Sequence, residues 1–531
     1  MKIPKTLLAI VLALLAAIST AHATVRYVNA NSATPTPPYT NWATAATIIG
    51  QAVSAAAAGD EILVTNGTYG PILVNKPLTV QSVNGPNVTV INGGRSRTCV
   101  SFINNAVMVG FTGFTLTNGW ASSGPAPYGG GVYCESPASA VLSNCVLTGN
   151  FASEYGGGAY GGTLNNCTLT GNTAGSLFSE GYGGGAYEST LNNCTLTGNS
   201  ANYEGGGADY YCKLYNCTLT GNTADYFGGG ADYYCTLYNC TLTGNSAGYE
   251  GGGAYYYCTL NNCTLSGNSG DGADVCTLNN SVVFGNTGDG ALGGTLNNCT
   301  VTGNSAWGAN GAFLHNCIVY FNGTNYEDCT LNYCCTTPLP GSGIGNITNA
   351  PLFVDYAGGN LRLQSDSPCI NSGNNAYVVG TTDLDGNPRI VGGTVDIGAY
   401  EYQTPTSILS YAWLQQYGLP TDGSADYADT DGTGQNNLFK WVAGLDPTNP
   451  ASVFMLTIAS VPNPSQAMNL NFNPLALGRA YTPQFSTDLV SGVWMPLTTY
   501  TGPLTNGNQV AITDTNPIPP QEFYRIEISM P

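Results

Sequence analysis

Short alternations of apolar and polar residues recur through the middle of the chain. From Cys145 to Cys317 the phrase C-T-L-x-N-C-T-L-T returns with small changes, and Cys and Leu alternate in it with Thr. Alternation with a period of two is typical of a strand that buries one face, so each phrase predicts two short strands separated by an Asn. An apolar period of 3.6 residues is absent and β-branched Thr dominates, which argues against amphipathic helices.

The phrase repeats with a period of about 20 residues, which indicates a solenoid. One series of small residues is spaced by 22, 27, 23, 23 and 23 residues and then continues in steps of 18, while a second series precedes it by five residues. Ser281 replaces a cysteine without disturbing the period, so these positions require a small side chain that can be buried. The first series is Cys145, Cys167, Cys194, Cys217, Cys240, Cys263, Ser281, Cys299 and Cys317, and the second is Cys212, Cys235, Cys258 and Cys276.

Asparagine and glycine mark the corners of each repeat. The Asn between the strands tolerates a left-handed backbone, and the Asn of each G-N pair can bond to the equivalent amide one coil away. Three short strands per coil, stacked ~4.8 Å apart, predict an all-β fold, a right-handed parallel β-helix solenoid. A leucine-rich repeat is the less favoured alternative, because a second regular Leu spacing does not accompany the Asn. The corner residues are Asn166, Asn193, Asn216, Asn239, Asn262, Asn280, Asn298 and Asn316, and the G-N residues are Asn172, Asn199, Asn222, Asn245, Asn268, Asn286 and Asn304.

Changes of composition divide the chain into five segments. Lys2 and Lys5, an apolar stretch and the small residues around Ala23 form a secretory signal, so we expect export to the extracellular space or the cell surface. An Ala-rich helix around 43–58 would cap the open first coil. We predict a signal peptide at 1–23, an N-terminal cap at 24–60, the β-helix at 61–403, a linker at 404–450 and a small β-sandwich-like C-terminal module at 451–531.

Charge and cysteine content exclude some classes of partner. The formal net charge of -19 would repel phosphate backbones, so we expect no nucleic-acid partner. Beyond the leader, no segment approaches the roughly 18–20 apolar residues that span a bilayer. In an exported protein, 18 cysteines could form a disulfide framework, but their periodic spacing favours stacked interior thiols. We expect a monomer.

Three stretches resemble known families. Residues 38–69, which begin P-Y-T-N-W, look like the start of bacterial right-handed β-helix proteins of the pectate-lyase-like superfamily. The pair "LTGNSA" and "GGGAY" resembles, more loosely, the repeat of chlamydial polymorphic outer-membrane proteins. Residues 361–402, with "SPCINSG" and "VDIGAYEY", resemble the choice-of-anchor Q segment that often closes such solenoids. The resemblance implies the β-helix architecture, whereas its members include lyases, hydrolases and adhesins.

The linker contains a candidate calcium loop, D-T-D-G-T-G-Q-N-N, at residues 429–437. Oxygen ligands at alternate positions, with Gly434 at the turn, resemble the loops of thrombospondin type 3 repeats and dockerins. The predicted Ca²⁺ ligands are Asp429, Asp431, Thr433, Gln435 and Asn437. Lys440 stands where that pattern expects a bidentate Glu, and a polar linker without metal is the alternative.

Catalytic residues are scarce in the solenoid. Residues 98–361 contain no Arg and one Lys, so lyase chemistry would depend on Lys213. Asp209 and Asp232 occupy the same place in adjacent coils, so their backbones should lie ~4.8 Å apart, near the spacing of a retaining glycosidase pair. Duplication of the coil explains the same pairing without any chemistry.

Tyrosines distinguish some coils from others. Coils with G-G-G-A-D/Y-Y-Y-C carry one additional residue, which predicts a bulge and leaves open which of the first two tyrosines faces out. Equivalent tyrosines should stack along the solenoid and form a stripe that suits sugar rings or a partner protein. The alternative is that they only stiffen the stack. The predicted ligand-binding residues are Tyr211, Tyr215, Tyr234, Tyr238 and Tyr257.

Together these patterns predict a binding, adhesion or structural protein whose partner is a polysaccharide or a component of a cell surface. A polysaccharide lyase or glycoside hydrolase is the first alternative. The second is a spacer whose C-terminal module does the docking.

Overall fold

The computed structural model describes residues 23–103, 109–122, 128–136, 140–176, 178–461, 467–515, 517 and 521–530. The predicted signal peptide lies outside these residues apart from Ala23. The chain divides into two parts, Met1–Cys235 and Thr236–Pro531. The domain boundaries drawn from the sequence stay predictions.

Short strands of the first part stack in register because the same alternation returns in every coil. Leu164 lies opposite Leu191, Leu191 lies opposite Leu214, and all three side chains are fully buried. The strands form four parallel sheets, which we name A1 to D1. Sheet A1 contains Val25–Val28, Glu61–Val64, Thr79–Ser82, Val109–Thr112, Ala140–Ser143, Thr163–Asn165, Thr190–Asn192 and Lys213–Tyr215. Sheet B1 contains Gly67–Tyr69, Thr89–Asn92, Thr115–Thr117, Val146–Thr148, Thr168–Thr170, Thr195–Thr197 and Thr218–Thr220. Sheet C1 contains Ile72–Val74, Val100–Phe102, Val132–Cys134, Ala159–Tyr160, Ala186–Tyr187 and Ala208–Asp209, and sheet D1 contains Trp120–Ala121, Phe151–Ala152, Thr173–Ala174, Ser200–Ala201 and Thr223–Ala224.

The second part begins with the same kind of coil. Sheet A2 contains Thr236–Tyr238, Thr259–Asn261, Thr277–Asn279, Thr295–Asn297, Phe313–His315 and Thr330–Asn332. Sheet B2 contains Thr241–Thr243, Thr264–Ser266, Val282–Phe284, Thr300–Thr302, Ile318–Tyr320 and Cys335–Thr336. Sheet C2 contains Ala254–Tyr255, Ala273–Asp274, Ala291–Leu292, Trp307–Asn310 and Thr324–Glu327, and Ser246–Ala247 is a further strand. The fold is the predicted right-handed parallel β-helix.

Asparagine ladders hold the coils in register, as the sequence predicts. Asn199 is fully buried, and its Nδ2 donates to Asn222 Oδ1 at 2.9 Å and to the Leu169 carbonyl at 3.0 Å. Its own Oδ1 accepts from Asn172 Nδ2 at 2.9 Å. At the other corner, Asn193 has the predicted left-handed backbone, with φ 52°. Buried amides therefore pair along the solenoid, which offsets the cost of burying them.

The cysteines fill the interior beside these ladders. The Cys145 main-chain N–H donates to Cys167 Sγ at 3.4 Å, and the Cys167 N–H donates to Cys194 Sγ at 3.4 Å. All 18 cysteines lie among the described residues, and none of them forms a disulfide. The periodic positions therefore serve as small, buried thiols.

Helices lie near the two ends of the chain. The helix Ile49–Ala55 buries Ile49, Ala52 and Val53, which confirms the helical cap. Two further helices are Tyr411–Gln416 and Asn437–Ala443, and the 3₁₀ turns are Trp42–Thr44 and Asn375–Tyr377.

The C-terminal module contains two antiparallel sheets. One has the order Met455–Ser460, Met468–Asn473, Gln509–Asp514, Tyr500–Asn506, and the other has the order Met495–Pro496, Ala480–Ser486, Phe523–Ser529. Leu470 and Ile512 from the first sheet and Tyr524 from the second share one buried cluster, which confirms the sandwich-like arrangement. A separate antiparallel pair, Phe353–Asp355 with Asn360–Leu363, precedes the module.

Candidate functional site

The coil corner that follows sheet C1 sets the direction of the tyrosine side chains. In one coil this corner is Gly161 and Gly162, with φ of 69° and 85°. Two coils later it contains Tyr210 and Tyr211, with φ of 53° and 55°. Left-handed backbone is comfortable for glycine and unfavourable for a bulky L-residue. A tyrosine pair thus holds a conformation that glycine would adopt at lower cost.

The next coil repeats this arrangement. Tyr233 and Tyr234 have φ of 49° and 57°. In each pair the two rings meet nearly at right angles, 90° for Tyr210 and Tyr211 and 73° for Tyr233 and Tyr234. The additional residue lies in this corner, because three residues separate Asp209 from Lys213 whereas two separate Tyr160 from Thr163. The bulge itself stays a prediction. Both tyrosine series reach the surface, which the sequence alone left open.

The tyrosine rings of the first part form three columns along the solenoid, which together we call the tyrosine surface. In the first column, adjacent ring centroids are 5.7, 5.6, 5.0 and 5.5 Å apart. In the third, the two rings are 5.3 Å apart and inclined by 12°. The first column is Tyr133, Tyr160, Tyr187, Tyr210 and Tyr233; the second is Tyr128, Tyr155, Tyr182, Tyr203 and Tyr226; the third is Tyr211 and Tyr234.

Exposure differs among the columns: Tyr211 is the most exposed of these tyrosines, and Tyr226 of the second column is 40% exposed. Tyr211 is 52% exposed and Tyr234 38%, whereas Tyr187 in the first column is 9% exposed. Rings packed edge to face and in stacks prefer such spacings, so each ring fixes its neighbours. The result is a continuous aromatic ridge in which the rings of Tyr211 and Tyr234 reach the solvent.

The remaining predicted tyrosines lie elsewhere on the strands. Tyr215 ends the strand Lys213–Tyr215 and is half-buried. In the second part, Tyr238 is exposed, and Tyr257 follows Tyr256 in another left-handed pair, with φ of 48° and 55°. The structure thus brings Tyr211 and Tyr234 together in one column. Stacking of Tyr210 on Tyr233 was predicted from the sequence, and the structure confirms it. The rest of the first column and the whole second column were not predicted, although the recurring G-G-G-A-Y was the signal for part of them.

Asp209 and Asp232 lie beneath the exposed tyrosines. The two carboxylates belong to adjacent coils, as predicted, and each residue is 1% exposed. Asp209 Oδ1 accepts the Tyr210 main-chain N–H at 2.6 Å, and Asp232 Oδ1 accepts that of Tyr233 at 2.6 Å. Any side chain at Gly205 would collide with Asp209. This geometry holds the left-handed turn. The catalytic role of the pair stays a prediction.

Carboxylates surround the tyrosine surface. Tyr182 Oη donates to Glu180 Oε2 at 2.6 Å. Burial and then the charge of Glu188 raise the pKa of Tyr160 to about 12. Burial and then the charge of Glu180 raise the pKa of Glu204. The surface is therefore both aromatic and acidic.

The candidate calcium loop precedes the helix Asn437–Ala443. Asp429 accepts main-chain N–H groups from Thr433 at 3.1 Å and Gly434 at 2.8 Å. Lys440, in that helix, extends its ammonium to Asp431 Oδ2. Burial alone would raise the pKa of Asp431, but the hydrogen bonds from Lys440 and Thr433 lower it. These oxygens do not fit a free divalent cation, because an ammonium and N–H groups already face them. The calcium prediction itself stays untested.

The other predicted ligands of this loop also have protein partners. The predicted ligand at Gln435 is its carbonyl, and the side-chain amide of this residue pairs with the main chain of Phe454 at 2.8 and 3.0 Å. The Asn437 side chain bonds to Thr430 and to the Ala425 carbonyl. Among the described residues, no cluster of three or more His, Cys, Asp and Glu side chains is arranged to hold a metal ion.

A search for helices able to cross a membrane finds none in the described part of the chain.

Similarity to known proteins is low in both sequence and structure. No family model matches the sequence, and no curated protein matches it. Among solved structures, the pectate lyase Pel9A is similar at 15% identity, over 71% of this chain and 96% of that chain, with a TM-score of 0.34. The Dettilon tailspike protein is similar at 12% identity, over 96% and 94% of the two chains, with a TM-score of 0.32. A polygalacturonase from Erwinia carotovora ssp. carotovora is similar at 13% identity, over 61% and 94%, with a TM-score of 0.25. Likenesses of this size carry no argument about activity.

Proposed function

We propose that the tyrosine surface binds a polysaccharide strand without cleaving it, and that the protein does so outside the cell or at its surface. The observation that carries this proposal is the pair of left-handed corners at Tyr210 and Tyr211 and at Tyr233 and Tyr234. A left-handed L-residue costs roughly 1–2 kcal/mol. Strain of this kind marks functional positions more often than ordinary surface, and here it lies at tyrosines that reach the solvent.

The shape of the surface suits an extended ligand. Sugar rings present apolar C–H faces that pack on aromatic rings, while carboxylates and hydroxyls at the edge accept or donate hydrogen bonds. Columns with rings 5.0 to 5.7 Å apart repeat the same environment from coil to coil. A polymer can therefore bind over several coils, with each coil adding to the total affinity.

Binding is favoured over cleavage because the paired carboxylates are not accessible and basic residues are scarce. Asp209 and Asp232 are 1% exposed and bond to their own turns. A general acid, base or nucleophile must come within hydrogen-bond distance of the substrate. Lys213 is the one Lys or Arg between residues 98 and 361. Cleavage is the alternative function, and a digestion screen tests it.

The test is a binding and digestion screen on the full-length protein. Affinity electrophoresis over neutral and acidic polysaccharides should show retardation by at least one polymer, without release of reducing ends. The double variant Tyr211→Ala/Tyr234→Ala should weaken that binding about tenfold or more, since clustered aromatic contacts dominate such interfaces. Tyr427→Ala, which removes a tyrosine that is 68% exposed in the linker, is the matched control. Turnover that disappears in Asp209→Asn/Asp232→Asn would contradict the proposal.

Residues 361–402 are proposed to close the solenoid, in keeping with their resemblance to the choice-of-anchor Q segment. Their buried carboxylates support this role, because they accept main-chain N–H groups of turns. Asp383 accepts from Glu401 at 3.1 Å, Asp396 accepts from Asn371 at 2.7 Å, and Glu401 accepts from Val391 at 2.9 Å. Docking through the C-terminal module stays an alternative means of attachment.

A further inference from the structure

The charge of the tyrosine surface restricts which polysaccharides can bind there. Between residues 128 and 235 the chain contains one base, Lys213, and no Arg or His. The acidic residues of the same segment are Glu135, Glu154, Glu180, Glu188, Glu204, Asp209, Asp225 and Asp232. Lys213 is exposed on sheet A1, outside the columns.

Several of these carboxylates lie within electrostatic reach of the rings. Glu180 bonds to Tyr182 in the second column. The charges of Glu154 and Glu180 act on Tyr155, after burial, to raise its pKa. A uronate that stacked on these rings would bring its own carboxylate beside them. Like charges placed together across an interface lose affinity, and this loss is greatest at low salt.

We propose that the ligand of the tyrosine surface is an uncharged glycan and that acidic glycans are rejected by charge. This proposal rests on the function proposed above and names its ligand class. Stacking supplies the affinity and the surrounding carboxylates supply the selectivity.

The test uses two polymers with the same galacturonan backbone, one carrying neutral methyl esters and the other carrying carboxylates: a fully methyl-esterified homogalacturonan and the same preparation after de-esterification. Each is titrated onto the full-length protein, together with a neutral glucan and a neutral xylan. At low ionic strength we expect binding to the acidic polymer to be about tenfold weaker than to its ester, and raising salt to about 0.5 M should narrow the difference to about threefold or less. Equal or tighter binding of the acidic polymer at low salt would overturn the charge selectivity while leaving glycan binding intact.

Variants separate this inference from the proposed function. Glu180→Gln/Glu204→Gln should narrow the discrimination at low salt, whereas Glu61→Gln, in the first sheet but away from the columns, should leave it unchanged. Should none of the four polymers bind, the proposed function itself fails. The salt dependence of the unmodified protein tests the inference even if the double variant is poorly folded.

A second, independent observation concerns the loop 429–437. The side chains of Lys440 and Asp431 are 0% and 1% exposed, and they form an ion pair. The Lys440 ammonium also donates to the Ser452 carbonyl at 3.1 Å. A buried ammonium is tolerated only when carboxylate and carbonyl oxygens surround it, and these are the same oxygen types that calcium prefers.

We infer that Lys440 supplies the positive charge that a calcium ion supplies in loops of similar sequence. Lys440 lies nine residues after Asp431, where the resembling loops expect a bidentate Glu. Its four-carbon side chain reaches back from the helix Asn437–Ala443 to the first turn of the loop. The loop therefore folds around the Lys440 ammonium, which belongs to the chain itself.

Thermal unfolding of the full-length protein tests this inference. The midpoint of the unmodified protein should differ by less than about 1 °C between 5 mM CaCl₂ and EGTA, because a ligand stabilises only a protein that binds it. Lys440→Glu, which restores the expected carboxylate, should gain a calcium-dependent increase of several degrees. Lys440→Met should be less stable in both conditions, since it leaves Asp431 buried without its partner.

The unmodified protein also provides a measurement that needs no variant. Terbium added to it should give no sensitised luminescence that calcium competes away. Calcium-dependent stabilisation of the unmodified protein, or competitive terbium binding, would overturn the inference.

Discussion

Two corners of the same coils use opposite chemistry. At the corner that contains Asn199 and Asn222, the side chains are fully buried and every amide bonds to the next coil. At the corner that contains Tyr210 and Tyr211, the side chains are exposed and the backbone is left-handed. The first corner gains stability from each residue. The second corner has a left-handed backbone that is unfavourable for tyrosine, and its aromatic rings are accessible to solvent.

The glycine corner sharpens this contrast. Gly161 and Gly162 form the corner that Tyr210, Tyr211 and Cys212 form two coils later. The coil therefore does not need tyrosine to turn. What the tyrosines add is surface, and this difference separates the part of the repeat that builds the solenoid from the part that can act on a ligand.

The largest expected effect is at the buried corner. Asn199→Ala removes the side-chain hydrogen bonds to Asn172, Asn222 and Leu169, and the buried main-chain N–H of Asn172 loses its acceptor. We expect a loss of about 3 kcal/mol in the free energy of unfolding, measured by denaturant titration, with glycan affinity unchanged for the folded protein. Asn193→Ala, at the exposed corner between sheets A1 and B1, should lower the free energy of unfolding by about 1 kcal/mol. Equal losses of unfolding free energy in the two variants would mean that the buried asparagine ladder does not hold the coils in register.

A smaller effect is expected at the glycine corner. Gly162 has φ 85°, and a Cβ there would lie 3.0 Å from Cys134 Sγ. Gly162→Ala should lower stability by about 2 kcal/mol, through both the backbone and the contact. Gly149→Ala meets no heavy atom within 4 Å and has φ 61°, so it should cost about 1 kcal/mol. A neutral Gly162→Ala would show that this corner is not held left-handed.

At the tyrosine corner we expect a glycine variant to be more stable than an alanine variant, the reverse of the usual order of stability. Tyr211→Gly and Tyr211→Ala lose the same ring stack on Tyr234, but only alanine keeps the strained backbone. Tyr211→Gly should therefore be more stable than Tyr211→Ala by about 1 kcal/mol, whereas glycine is the less stable of the two at most positions. Thermal unfolding of the pair measures the difference. If the alanine variant were the more stable one, the backbone at Tyr211 would not be strained.

The smallest effect concerns pH. Burial and then Glu188 raise the pKa of Tyr160 to about 12, so the unfolded chain ionises first, near pH 10. The contribution of Tyr160 to stability is complete below pH 10 and is lost as the pH rises towards 12. Tyr160→Phe should remove about 1 kcal/mol of the loss between these pH values, after allowance for solvent screening. If the stability of Tyr160→Phe fell with rising pH in the same way as that of the unmodified protein, Tyr160 would not be held neutral in the first tyrosine column.

Much of the solenoid was predictable because its interior repeats without interruption. Leu191, Cys194 and Asn199 fill the same layers in coil after coil, so period and alternation identify them as inward. The orientation of Tyr210 and Tyr211 was not predictable. The rule that alternate residues face opposite sides holds for strands, and two consecutive left-handed residues break it.

The linker shows a second limit of sequence reasoning. Spacing identified Asp429 and Asp431 as a loop rich in oxygen ligands, and it identified Lys440 as a departure from the pattern. Only the structure shows that the long side chain of Lys440 folds back onto Asp431. A local motif fixes the turn, whereas the cation within it depends on a contact made across the following helix.

The most direct test of the central claim is NMR of the full-length protein with isotope-labelled tyrosine rings, titrated with the glycan that binds best in the screen. We expect chemical-shift changes confined to the tyrosine surface, with the glycan intact at the end and the Tyr427 signals unchanged. The largest changes should occur at Tyr210, Tyr211, Tyr233 and Tyr234. Shifts that leave these four rings unaffected while affecting residues elsewhere, or shortening of the glycan during the titration, would contradict this claim.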